Sequence, residues 1–427
     1  MCGYPAPSPY PRPYRVVSVN SGVLSLAWDV SIMLVLILLA INVIALLYAS
    51  ATLIMPEVTA GSLESVYIFT IVPELALIFT ISGTFATTVY FLLVFATVLF
   101  MYFHFTLSDG KGVVRLLTLP LSSVLARLRS KNRWTMVAQL FLALTFFQVL
   151  YVMLLNAYDV STPAPADLST AQWRVLFDLA NASVYEEIVS RLALIGLPMF
   201  AGSILIRWLN RRASTGERAQ YARSRRRYLL SSFRYLWGGS VDRKSPKAVF
   251  SSAAVLSVFS AVMFGAAHIR GWGDWKFVPA LVAGFALAYA FLRGGFLAAV
   301  LLHFATDYFS ATALIIQGDT TLEVLLSVLL LAVLVLGAGF FLYYCVYFIN
   351  LIGERSPKAR RGAPVSSAPF GGAGGWQGQT GYRTPEQSGH SGGRAGLMFA
   401  APCPNCGWPE SLYADGKLKC SKCGREP

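Results

Sequence analysis

Runs of about 20 apolar residues, each long enough to cross the hydrocarbon core of a bilayer, recur along this sequence and alternate with short polar loops. The first extends from about Trp28 to Tyr48 and the last from about Glu323 to Leu351. Composition agrees with that pattern. Of 427 residues, 56% are hydrophobic and only 13% are charged, against about 25% charged in soluble domains. The chain therefore reads as an all-α, polytopic membrane protein of about eight transmembrane helices, with a small zinc ribbon at its C-terminus. The formal net charge of +14 is gathered in a few loops, which sets topology more simply than it marks a nucleic-acid surface.

Residues 1–27 are polar, proline-rich and mildly basic through Arg12 and Arg15, and are expected to be a flexible cytoplasmic start. No cleavable signal peptide is apparent, because no apolar core follows the first residues; Cys2 reads as incidental. Residues 28–155 form an N-terminal transmembrane portion with spans near Trp28–Tyr48, Phe85–Phe105 and Trp134–Leu155. The stretch Ser65–Phe105 is too long for one helix and barely enough for two, and Pro73, Glu74 and Gly83 interrupt it. Lys111, Arg115, Arg127, Arg129, Lys131 and Arg133 follow, and basic loops lie on the cytoplasmic side. An odd number of crossings is thus required, which implies one full span preceded by a bent or re-entrant piece.

Residues 156–352 hold the segment of chemical interest. An apolar run from about Ala171 to Trp208 leads into a basic cytoplasmic loop, 207–247, that includes Arg211, Arg212, Arg218, Arg223, Arg225, Arg226 and Arg227. Its plain reading is a topology determinant; its sharper reading is a contact for anionic lipid headgroups. Further spans are expected near Ala248–Ile269, Phe277–Leu292, Gly295–Ile315 and Glu323–Leu351, which leaves both termini cytoplasmic.

In the middle of the Ala171–Trp208 run stands Tyr185-Glu186-Glu187-Ile188-Val189-Ser190-Arg191. Each carboxylate there costs about 2.5–3.5 kcal/mol to insert, so such charges face a protein interior or a wet cavity. Glu187 and Arg191 are four apart and can pair on one helix face. Glu186 has no such partner in its own helix, a setting that raises a carboxylate pKa and suits a general base. Two later spans add Phe264-Gly265-Ala266-Ala267-His268 and His303-Phe304-Ala305-Thr306-Asp307, each with its end residues on one face. Only four histidines occur in the chain, and two of them stand here.

EExxxR, FxxxH and HxxxD, in that order on successive membrane helices, resemble the three motifs of the CAAX protease and bacteriocin-processing (CPBP) family of intramembrane proteases. The small-residue stretch Gly284-Phe285-Ala286-Leu287-Ala288 between the last two is similar as well. The resemblance covers roughly Leu176 to Ser310, about a third of the chain. It implies Glu186, His268, His303 and Asp307 as the core of a proteolytic site, with Glu187 and Arg191 in support. It also implies a membrane-associated protein or peptide as substrate, and a lipidated C-terminus in the best-known relatives.

Two schemes fit these residues. His268 and His303 could ligate a catalytic zinc, with Glu186 or Asp307 adding oxygen, so that the metal acidifies a bound water. Alternatively, Glu186 activates the water unaided and the other groups stabilise the oxyanion. Many relatives carry asparagine at the last motif position. Asp307 cannot donate a hydrogen bond unless protonated, which tilts its expected role toward metal binding or toward orienting a histidine. Each residue also has a bland reading: Glu187 and Arg191 as a structural pair, Phe264 as packing, a membrane histidine as a helix–helix hydrogen bonder.

Residues 353–400, rich in Gly, Ser, Pro and Arg, read as a disordered linker. Within 401–427, Cys403, Cys406, Cys420 and Cys423 form two CxxC knuckles with the spacing of a four-thiolate zinc site. So short a segment would depend on the metal for folding. Lys417, Lys419, Lys422 and Arg425 are offset by Glu410, Asp415 and Glu426, so a protein partner fits this tail better than nucleic acid. Two non-proteolytic readings stand beside the enzyme: a catalytically silent scaffold or immunity-type binding protein of the same fold, and a proton-coupled transporter. The absence of an internal repeat weighs against the second.

Overall fold

The computed structural model describes residues 21–52, 65–68, 79–82, 84–130, 132–163, 172–213, 232–241, 245, 247–315, 319–353, 398–399, 411–414 and 417–420. The chain divides into two compact units, residues 1–361 and 362–427.

The first unit is a helical bundle. Helix α1 spans Ser21–Thr52. An antiparallel hairpin of β1 (Ser65–Ile68) and β2 (Phe79–Ser82) comes next, with Ser65 opposite Ser82. Helix α2 (Thr84–Leu117), the short α3 (Val124–Leu128) and α4 (Arg133–Ala157) complete the N-terminal portion. Helix α5 (Gln172–Glu187) then runs through a π-helical segment, Ile188–Gly196, into α6 (Leu197–Ala213). Helix α7 (Lys247–Trp272), a single 3₁₀ turn (Asp274–Lys276), α8 (Phe277–Gly294), α9 (Phe296–Ile315) and α10 (Thr320–Gly353) close the bundle.

Among the described residues seven helices are long and apolar enough to cross a membrane; the apolar part of α9, Phe296–Thr312, is shorter. The eight expected spans thus comprise seven full-length helices and one shorter one. Helix α4 occupies the centre, where every residue from Trp134 to Thr145 is buried, as befits a helix that is apolar all round. Ile37 and Ile44 of α1, and Val335 and Leu342 of α10, are instead exposed apolar side chains. In a bilayer such faces meet lipid.

Two expectations need correction. The interruption before α2 is a β-hairpin at its described ends, with Pro73 and Glu74 outside the described residues. The helix after it does not stop near Phe105 but continues to Leu117, so that Lys111 and Arg115 are helical. Long-range polar contacts explain the continuation. Asp109 pairs with Arg133 Nε at 2.7 Å, and Asn132 Nδ2 donates to the Asp109 carbonyl at 2.8 Å. Asn132 in turn caps α4 by accepting from the Thr135 amide. Arg127 is fully buried and makes a two-pronged pair with Asp29 of α1, at 3.0 Å on each arm. Two of the arginines expected as free loop charges are therefore integral to the bundle.

The segment around the EExxxR motif is shaped by Pro198. Proline has no amide hydrogen for the helical ladder, and the turn before it widens, with the Leu197 amide donating to the Leu192 carbonyl. Such π turns recur at functional sites. Tyr308 of α9 donates to the Leu176 carbonyl at 2.7 Å, and Tyr90 of α2 to Asn181 Oδ1 at 2.5 Å, fixing α5 against both neighbours. Gly284 lets α8 lie directly on α7: a Cβ there would come within 2.9 Å of the Ala261 Cα.

In the second unit, β3 (Met398–Phe399), β4 (Ser411–Ala414) and β5 (Lys417–Cys420) form an antiparallel sheet in the order β3-β4-β5, with Ser411 opposite Cys420. Of the expected zinc ligands, Cys420 ends β5, whereas Cys403, Cys406 and Cys423 lie outside the described residues.

Candidate active site

The three motifs converge where α9 packs on α5 and α7 packs on the π segment. Each pair separated by four residues lands on one helix face, as the spacing requires. Glu187 and Arg191 form the expected ion pair, Oε2 to Nε 3.2 Å, with both side chains fully buried. Glu187 does more than neutralise Arg191, because its Oε1 accepts from His303 Nδ1 at 3.0 Å. One buried carboxylate thus joins a guanidinium on its own segment to an imidazole on α9.

His303 turns its other nitrogen to the remaining acids. Nε2 lies 3.3 Å from Asp307 Oδ2 and 3.9 Å from Glu186 Oε2. His268 approaches from α7, with Nε2 3.8 Å from the same Glu186 oxygen. Its Nδ1 is 2.7 Å from the Phe264 carbonyl. A carbonyl oxygen only accepts, so Nδ1 carries the hydrogen, and the Nε2 of a neutral His268 presents its lone pair to Glu186. Glu186 Oε2 is buried and makes no hydrogen bond to the protein.

Phe264 is packing with a purpose. It is 2% exposed, and its ring centre lies 4.6 Å from that of His268 and 5.7 Å from that of His303. The Arg191 guanidinium sits over the ring at 5.0 Å. The ring therefore packs against the guanidinium and both imidazoles at once and helps hold all three in register.

Two contributors were not singled out from the sequence. Ser260, fully buried one turn before Phe264, accepts from Arg191 NH1 and donates to the Ser190 carbonyl, both at 2.6 Å. Its signal was the four-residue spacing Ser260–Phe264–His268. Lys276, at the turn between α7 and α8, holds its Nζ 4.1 Å above the Trp272 ring and 5.3 Å from that of Trp275. Its charge is felt at Glu186, His268 and Asp307.

A zinc held by two imidazoles and a carboxylate needs those donor atoms about 3.3 Å apart, the edge of a tetrahedron with bonds of about 2.0–2.2 Å. The Glu186-to-imidazole separations of 3.8 and 3.9 Å are wider. Among the described residues, no group of three or more His, Cys, Asp and Glu side chains is arranged to hold a metal ion. The His303–Asp307 separation of 3.3 Å meets that spacing, and the separations to Glu186 exceed it. They do suit a water: separations just beyond direct hydrogen bonding are those that one water spans.

Fold and site together define a polytopic helical membrane protein with a glutamate, two histidines and an aspartate gathered inside its bundle. Residues 169–309 match the family model described as type II CAAX prenyl endopeptidase Rce1-like, which is consistent with the CPBP resemblance. The match takes in all three motifs and about a third of the chain. No curated protein and no solved structure matches the chain.

Proposed function

We propose that this protein is an intramembrane endopeptidase in which Glu186 is the general base. The observation that carries the reading is the convergence on one buried oxygen, Glu186 Oε2, of His268 Nε2 and His303 Nε2 at 3.8 and 3.9 Å. A water among these atoms would give one proton to Glu186 and one hydrogen bond to His268 Nε2, which aligns its lone pair for attack on a peptide carbonyl. Glu186 would then pass its proton to the departing amine.

The electrophilic side belongs to His303 and Asp307. With Nδ1 donating to Glu187, the Nε2 of a neutral His303 would face the Asp307 carboxylate lone pair to lone pair at 3.3 Å. A proton in that gap removes the repulsion. Whichever group holds it, that proton would turn out of the gap toward an oxyanion forming beside Glu186 and so stabilise it. This gives the aspartate a part equivalent to a donating amide, provided His303 stays anchored.

The substrate would be a membrane-associated protein or peptide, with a lipidated, CAAX-like C-terminus the first to try. The separate tail would hold a structural zinc through Cys403, Cys406, Cys420 and Cys423 and dock a protein partner. The CxxC spacing and the β4–β5 hairpin ending at Cys420 support that reading. Its check is the zinc content of the intact protein, expected to drop in Cys420→Ser; an unchanged content would discard it.

The deciding experiment reconstitutes the intact protein in liposomes with a prenylated reporter peptide and compares wild type with Glu186→Gln. Loss of a general base lowers kcat by about 10²–10⁴-fold, with little effect on stability because the carboxylate makes no direct hydrogen bond. A Glu186→Gln variant that cleaves at the wild-type rate would remove Glu186 from the chemistry. Wild type that binds the peptide without cutting any membrane substrate would favour the silent scaffold.

A further inference from the structure

Away from the catalytic cluster, a cavity of about 900 Å³ lies between α4, α7, α8 and α10. Its walls are almost wholly apolar, among them Leu144, Ala254, Val258, Ala286 and Phe348. The one charged residue of the lining is Arg293, from the last turn of α8. That same arginine also lines a second, polar cavity of about 580 Å³, where Asp109 and Arg133 meet Trp237, Gly238 and the Gly294-Gly295 turn.

The polar cavity is a built feature. The Gly239 amide donates to the Phe291 carbonyl at 2.8 Å and the Phe296 amide to the Trp237 carbonyl at 2.8 Å, which laces the 237–241 segment to the α8–α9 turn. Gly238 is indispensable there: its φ is +72°, and a Cβ would fall 2.3 Å from the Phe291 carbonyl oxygen. Charge within the cavity is unbalanced. Arg133 is neutralised by Asp109, whereas Arg293 forms no ion pair among the described residues and is only half-buried.

Aromatic side chains mark the depth. Tyr289 lies edge-on to Tyr344, Tyr347 and Phe348, with ring centres 6.0, 5.9 and 5.3 Å away, all beside Arg293. Trp237 stands at the opposite rim, half exposed. Tyrosine and tryptophan collect at the headgroup level of membranes, and Asp109 of α2 meets the start of α4 at Arg133 and the end of α8 at Gly294 here. A cation with no ion pair among the described residues, directly beside an apolar chamber, matches the two halves of one ligand.

We propose that this double cavity is a binding site for one anionic glycerophospholipid, its phosphate at Arg293 and an acyl chain in the apolar chamber. The site is separate from the catalytic groups, which lie where the π segment, α7 and α9 meet. A bound acyl chain would act as packing between α7–α8 and α10, and so set how α7 presents Phe264 and His268. The apolar chamber is what favours lipid over a free phosphate, because only a lipid fills both cavities.

The test uses the full chain purified from membranes, washed to remove loosely held lipid, extracted and quantified by mass spectrometry. Wild type is expected to retain phosphatidylglycerol in preference to phosphatidylethanolamine. Arg293→Gln should reduce that preference about fivefold, the discrimination one basic residue supplies at a membrane surface, while Arg293→Lys keeps it. Ala254→Phe, which fills the chamber, should release both lipids alike. Should Arg293→Gln prove poorly folded, wild-type protein in phosphatidylcholine vesicles provides a second arm: added phosphatidylglycerol should raise its unfolding temperature, and Ala254→Phe should lose that rise. Retention unchanged in Arg293→Gln and Ala254→Phe, or no response to phosphatidylglycerol in vesicles, would mean annular lipid only and overturn the proposal.

Discussion

Glu187 and His303 stand 116 positions apart in the sequence, yet Glu187 Oε1 accepts a hydrogen bond from His303 Nδ1 at 3.0 Å in the interior of the bundle. The contact links the two halves of the site. Without it the imidazole could rotate, and the 3.3 Å approach of its Nε2 to Asp307 would no longer be enforced. The second acid of the EExxxR motif is therefore the one bonded to the HxxxD motif, while Oε2 of the first acid makes no hydrogen bond to the protein.

Replacing Glu187 by Gln keeps an oxygen for His303 but leaves Arg191 buried without its counter-ion. Breaking one side of a buried pair costs about 3–5 kcal/mol, so unfolding in detergent should shift by that much. The double variant Glu187→Gln/Arg191→Gln should regain part of the stability yet still cleave about 10–100-fold more slowly, as expected when an orienting partner is weakened. A double variant with wild-type kcat would show that the pair is structural only.

Lys276 offers a second handle. Held over Trp272 and electrostatically coupled to the site's acids, it is placed to receive an anionic group of the substrate. A peptide whose cleaved portion ends in a free carboxylate should lose affinity in Lys276→Gln. KM should rise about tenfold or more, the worth of a charge-assisted hydrogen bond, with kcat little changed. The same peptide with an amidated end should be indifferent to the substitution. Equal losses on both peptides would assign Lys276 to folding.

Much of this was legible beforehand, and the boundary has a physical basis. Hydropathy depends on each segment alone, so the spans could be read; four-residue spacing depends on one helix alone, so the pairing of Glu187 with Arg191 could be read too. Ser260 and Lys276 could not be weighed, because their importance comes from α7 packing on the π segment and from the turn that brings Lys276 back toward Glu186. The π segment itself needed both the missing amide of Pro198 and its tertiary setting. Charge counting placed Arg127 and Arg133 in a basic loop; their acids, Asp29 and Asp109, come from helices distant in sequence, and no local pattern announces them.

Ser260 should behave as a positioning residue. It bridges Arg191 and the Ser190 carbonyl, and that carbonyl sits where the π segment loosens the backbone ladder. Ser260→Ala strands a buried guanidinium arm and a carbonyl, at a cost of about 1–3 kcal/mol. The diagnostic is amide hydrogen exchange: protection should fall across Ile188–Gly196 and stay constant in α4. A uniform loss of protection through the whole bundle would contradict a local role.

The Arg127–Asp29 pair tests whether the N-terminal helices scaffold the site or take part in it. Arg127 is fully buried and donates to the Leu119 and Pro120 carbonyls as well as to both Asp29 oxygens. It thereby clamps the turn after α2 onto the start of α1, with Ser25 adding a hydrogen bond to the Leu121 carbonyl. Asp29→Ala removes the counter-ion and leaves the guanidinium in place, which should destabilise the protein by about 3–5 kcal/mol. None of these groups belongs to the catalytic cluster, so kcat measured at a temperature where the variant is fully folded should match wild type. A lowered kcat in folded Asp29→Ala would show that the first helices tune the geometry of Glu186 and the histidines, and that the catalytic unit extends well beyond residues 169–309.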